Sequence, residues 1–275
     1  MTKVWTRGYK LLGMFVALAL FGCESQEDVQ PGSMQSSLEQ EQKKVKTTVY
    51  YGPLTAYLGG TARTWVEVVN GKPIAIGIEL SEDVLVNLPE EMGEFVLKLP
   101  GQAHSTGIKT IMVGWNPMGH DPEGVYTIPH FDFHFYTITH GQIKQITGGV
   151  DEGAYTLQEK GIFPAVYTFG PVPFAVPHMG VHWSDITSPE FSPAGFSKTF
   201  IYGSNKDRVT FLEPMITLAY LRSLGANQSV ETPIPSLLRY EDPGYYPESY
   251  TVTYDAASGT YSIALTDLIW HNRNK

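Results

Sequence analysis

The sequence is short of the features that would brace it covalently, carry it through a membrane or bind polyanions. It holds one cysteine, Cys23, in 275 residues, so no disulfide joins one part of the chain to another. Bases are outnumbered, 19 Lys and Arg against 28 Asp and Glu, for a formal charge of −9. Nucleic acid and anionic lipid surfaces are therefore not expected partners of the folded part. No apolar run reaches the roughly 20 residues that a membrane-spanning helix needs. There is no Gly-x-Ser-x-Gly nucleophile elbow, no phosphate-binding glycine loop and no internal repeat.

At the N-terminus, residues 1–22 carry Lys3, Arg7 and Lys10 and no acid, followed by the apolar run Leu11 to Phe21. A charged segment before a short apolar one is the pattern of an export signal. It ends in Leu20-Phe21-Gly22-Cys23, which resembles the bacterial lipobox, in which the cysteine is lipidated and becomes the new N-terminus. Residues 23–46 contain few large apolar side chains and read as a flexible tether. The expected product is exported and held in the bacterial cell envelope by lipid on Cys23. Position 24 is Glu rather than the Asp of the enteric inner-membrane retention signal, so the outer membrane or cell surface is the expected address.

From Thr47 onward, 27 glycines, 19 prolines and 16 tyrosines in the whole chain and scarce helical periodicity favour strands. Short β-branched and aromatic runs recur between turn residues, with Asn70-Gly71 and Asp255 to Gly259 as hairpin turns. The expected fold is mainly β, an antiparallel β-sandwich or distorted barrel with a few short helices, among them Ser81 to Leu88 and His140 to Ile146. Residues 47–226 read as the main domain. Residues 227–275, which open on a proline-rich stretch, read as a loop and C-terminal hairpin packed on it.

The most informative segment is Pro129-His130-Phe131-Asp132-Phe133-His134-Phe135-Tyr136. Polar and aromatic residues alternate with strand period, so Phe131, Phe133 and Phe135 share one face while His130, Asp132, His134 and Tyr136 share the other. Such a polar row is costly to bury unless its members bind one another, water or a metal. Residues two apart on a strand lie roughly 6.5 to 7 Å apart and those four apart roughly 13 Å. Neighbours in the row can thus chelate one ion, and the third member is expected beside that site or in a second one.

Three other segments add chemistry. The loop Trp115 to Gly124 offers His120. Val176-Pro177-His178-Met179-Gly180-Val181-His182-Trp183 places His178 and His182 four apart, on one side of a helical or extended segment. Glu213 stands in an apolar run just before Pro214, which is expected to end the strand.

These segments together, with Glu213-Pro214-Met215-Ile216-Thr217, resemble an uncharacterised bacterial family, a Thermus-type domain of unknown function, over about residues 50 to 222. The resemblance implies no established activity, and the His, Asp and Glu positions remain candidates under it.

Imidazoles mixed with carboxylates suit Zn, Mn or Fe. The expectation is one divalent ion where the two histidine motifs meet, drawn from His130, Asp132, His134, His178, His182 and Glu213. The alternatives are a metal-free acid and base pair, or a satisfied polar cluster. The function that follows is a metal-binding envelope lipoprotein. Two alternatives stand beside it: a metal-dependent envelope enzyme of hydrolase, lyase or oxygenase type, with Tyr136 or Glu213 moving protons, and a structural or oligomeric lipoprotein. A small-molecule ligand and a homo-oligomer are compatible with each.

Overall fold

The computed structural model describes residues 45–274. The segment expected to be an export signal, Cys23 and nearly all of the expected tether lie outside the described residues.

Four strands come first: β1 (Thr47–Tyr51), β2 (Thr55–Tyr57), β3 (Gly60–Val69) and β4 (Lys72–Ser81). Then come β5 (Gly93–Leu97), β6 (Thr110–Asn116) and β7 (His130–Tyr136), followed by the helix α1 (His140–Ile143). The middle of the chain holds β8 (Gly149–Val150), the helix α2 (Gly153–Glu159), β9 (Tyr167–Thr168), β10 (Phe174–Ala175) and β11 (Val181–Asp185). The chain closes with β12 (Lys198–Asn205), β13 (Arg208–Thr217), the helix α3 (Leu218–Ser223), β14 (Ser229–Pro233), β15 (Gly244–Asp255) and β16 (Thr260–His271).

Two seven-stranded antiparallel sheets result. The first runs β1-β3-β4-β16-β15-β14 with β2 on β3; the second runs β5-β6-β7-β13-β12-β11-β9. Their facing side chains form one core, with Val66, Ile76, Ile78, Val252 and Ile263 from the first sheet and Phe131, Phe133, Phe135, Leu212 and Ile216 from the second. The fold is thus mainly β and sandwich-like, as the period-2 segments predict. Each of the three β7 phenylalanines is wholly buried, and burying such a side chain contributes about 1.5 to 3 kcal/mol. The strand's register is therefore firmly set, because a slip of one residue would turn His130, Asp132 and His134 into the core.

Residues 227–275 supply β14, β15 and β16, and β16 lies in the middle of the first sheet, between β4 and β15. The turn residues act as expected, with Asn70 at φ 50° and Gly71 at φ 81° between β3 and β4. The expected helix after Ser81 is only a 3-10 turn over Glu82–Leu85. The one after Thr139 is the short α1, held by a capping box between Thr139 and Gln142.

Pro214 does not end its strand. β13 continues to Thr217, with Pro214 opposite Phe200 of β12. On the β7 side the paired residues pass from Leu212 and Phe135 to Met215 and Asp132, skipping Glu213 and Pro214. The missing N–H of proline falls in this gap of the ladder.

Candidate metal centre

The outer face of the second sheet, away from the core, carries the polar row. All seven residues of β6 and all seven of β7 are buried, so connecting segments cover this face as well. One apolar cover packs Met112, Tyr136, Ile143 and Phe211 together. Another gathers Tyr126, Phe196, Ile201 and Met215. The titratable groups lie with them on this face and fall into two sets, each of two histidines and one carboxylate.

The first set joins three strands. His134 comes from β7, Glu213 from β13 and His182 from β11. Nε2 of His134 stands 3.3 Å from Oε1 of Glu213, and Nε2 of His182 stands 3.7 Å from Oε2. The two rings are 6.5 Å apart between centroids, and Phe211 packs edge-on to both at 5.1 Å. That ring has space because β12 presents Gly203 in register with Phe211; a Cβ there would lie 1.9 Å from the ring.

Burial pushes the His134 imidazole down to about 4 and that of His182 down to about 3, so both are neutral at pH 7 with a lone pair to give. Burial, with the charges of Asp132 and Glu94, holds the Glu213 carboxyl well above the usual carboxylate range. His134 Nε2 and Glu213 Oε2 are buried and have no hydrogen-bond partner. A cation between them would answer both at once.

The second set is built on the same strand. His130 and Asp132 of β7 meet His120 from the loop that joins β6 to β7. Nε2 of His130 is 3.1 Å from Asp132 Oδ1, and Nε2 of His120 is 3.6 Å from Oδ2. Asn116 of β6, opposite His130 in register, donates from Nδ2 to Asp132 Oδ2 at 2.7 Å. Burial alone would push the Asp132 carboxyl up, but contact with His120 and His130 outweighs it and holds the group well below the usual range.

One donor atom from each residue of a set lies within 4.8 Å of the others. Ligands at about 2.0 to 2.2 Å from one ion lie up to about 4 Å apart, so adjustments of a fraction of an ångström would seat an ion in either set. Each set could hold a metal. In each, two members are buried and one histidine is partly exposed, 34% for the His120 side chain and 24% for His182.

The sequence-predicted residues are thus divided. His134, His182 and Glu213 come together; His130 and Asp132 join His120 instead of the second histidine motif. His178 joins neither set. It is exposed, at φ 63° in the turn that leads into β11, because residues 176–180 form a tight bridge from Val176 to Gly180 in place of a helix. The four-residue spacing to His182 therefore gives no chelating pair. Tyr136 stacks on His134 at 5.4 Å with its hydroxyl donating to the His178 carbonyl at 3.4 Å. Burial holds that phenol far above its ordinary value, so it stays protonated.

Asn116 was missed by sequence reasoning, although it stands in the same loop-leading segment as His120; nothing in its local pattern says that β6 pairs with β7 so as to face Asp132. No family model, curated protein or solved structure matches the chain.

Proposed function

We propose that this chain is a divalent-metal-binding lipoprotein of the bacterial cell envelope, with its ion held by His134, His182 and Glu213. One observation carries the reading: two neutral imidazoles and a carboxylate from three strands converge in a buried place where His134 Nε2 and Glu213 Oε2 have no hydrogen-bond partner. A set of two histidines and one carboxylate fits Zn, Fe or Mn. Elemental analysis of the full-length chain should find a divalent ion that His182→Ala removes. Retention of the full metal content by that variant would refute the site.

The envelope address rests on the charged segment with Lys3, Arg7 and Lys10, the apolar run after it and the Leu-Phe-Gly-Cys ending. Cys23→Ser should abolish incorporation of a labelled fatty acid, and label persisting on that variant would sink the lipid anchor. A second reading, a metal-dependent enzyme of hydrolytic type, is favoured by the count of protein ligands. Three ligands with one at a partly exposed edge leave a coordination position at which a water can be acidified. Loss of any measured hydrolase activity in parallel with the ion in His182→Ala would support it.

A further inference from the structure

We propose that the set His120, His130 and Asp132 holds a second divalent cation, so that β7 carries two ions side by side.

The argument starts from which ring nitrogens carry protons. Nδ1 of His130 lies 2.7 Å from the carbonyl oxygen of Ile128, and Nδ1 of His120 lies 2.7 Å from the carbonyl oxygen of Asp121. A carbonyl only accepts, so in each neutral imidazole Nδ1 bears the proton and Nε2 presents a lone pair. Both lone pairs are turned toward Asp132. Its Oδ2 takes the Asn116 amide, and its Oδ1 is buried with no hydrogen-bond partner. Both Nε2 atoms thus converge on one carboxylate, where the Asn116 amide, 2.7 Å from Asp132 Oδ2 and 3.5 Å from His130 Nε2, is the neighbouring donor and Asp132 Oδ1 is left for a cation to answer.

The His120 and His130 rings are 4.7 Å apart between centroids, edge to face, and each brings its Nε2 to the same carboxylate. One divalent ion satisfies both nitrogens and the oxygen together. The surroundings are those of a prepared ligand set, since backbone carbonyls fix both histidine tautomers and Asn116 orients the carboxylate. Gly114 of β6 lies opposite Asp132 in register, and a Cβ there would already be in van der Waals contact with the Asp132 side chain at 3.5 Å. Asp132 and His134 are alternate residues of one strand, roughly 6.5 to 7 Å apart along it, so the two sets are neighbours yet share no ligand.

The inference goes beyond the first ion, and its test keeps the two apart. The full-length chain, stripped with chelator, is titrated with Zn²⁺ and separately with Co²⁺, reading bound metal by elemental analysis and ligand type from the Co²⁺ absorption. Wild type should take two equivalents, His120→Ala one, His182→Ala one, and the double variant none. Thermal unfolding of each variant in chelator checks that it is folded, so that metal loss is read on folded protein only. Asn116→Leu should weaken one of the two equivalents by about 10- to 100-fold and leave the other unchanged. A wild type that binds one equivalent, kept by His120→Ala, would overturn the second site alone. Loss of the same single ion in both variants would show one shared ion and also overturn it. Two equivalents of which His182→Ala removes neither would instead strike the first site.

Discussion

At the scale of single residues, Asp132 and Glu213 are the same chemical group under opposite pressures. Asp132 has imidazoles against both oxygens and is held as an anion; Glu213 is buried with an unanswered oxygen, and its carboxyl is held well above the usual range. Glu213→Gln should therefore leave the chelator-treated protein as stable as wild type, or more so, because the amide is a neutral group of the same shape in a place that disfavours an anion. The same variant should lose most of the rise in unfolding temperature that Zn²⁺ gives wild type. Denaturation scans with and without metal check both halves, and a large loss of stability in chelator would show that the carboxylate is engaged in a way the geometry does not reveal.

The pH dependence follows from His134 and His182. Their folded values, about 4 and about 3, lie below the ordinary 6.5, so the unfolded chain binds more protons between these limits. The stability they contribute is present above about pH 6.5 and drains away as the pH falls toward 4. For His134 the loss by pH 5 is about 2 kcal/mol. Urea unfolding in chelator at pH 7.5, 6 and 5 should show the decline, and His134→Gln should flatten it. Equal slopes in the two proteins would contradict the buried neutral imidazole.

At the scale of elements, β7 was legible because its period of 2 is local: Phe131, Phe133 and Phe135 announce the core face and thereby fix the opposite one. Which strands lie beside it was not legible. His134 meets Glu213 only because β13 folds back along β7, and His182 joins them only because β12 and β11 follow in the same sheet. His178 misled for a local reason, since i, i+4 spacing is read from numbering while the chain turns tightly between the two histidines. Pro214 misled because a proline is tolerated inside a strand where the ladder already has a gap.

The element that keeps the site in shape is the Phe211 ring, which lies in register with Gly203 and touches both His134 and His182. Gly203→Ala should displace that ring at a cost of about 1 to 3 kcal/mol. It should also lower metal affinity at the His182 set more than at the His120 set. Calorimetric unfolding and metal titration of the variant measure the two effects, and an unchanged affinity would mean that the ring is not a support of the site.

At the scale of the whole molecule, the sandwich was legible from strand spacing, but the place of the C-terminal hairpin was not, because nothing in residues 260–271 records which edge of which sheet they join. β16 lies between β4 and β15, and its Ile263 and Leu265 are wholly buried in the common core. A chain stopped after Ala257 should accordingly show no cooperative unfolding transition by circular dichroism; a sharp transition would mean that the first sheet closes without it.

The central position of β16 also sets a timetable. β16, the last strand among the described residues, sits inside the first sheet, and its partner β4 was made about 180 residues earlier. A ribosome still translating this protein therefore holds a chain that cannot finish folding, whatever its earlier hairpins do. Pairing across such sequence separations is slow, which lengthens the interval in which the polypeptide is extended. Under the proposed envelope address the late strand would be a safeguard, because the sandwich closes only when residues 260–271 have arrived on the far side.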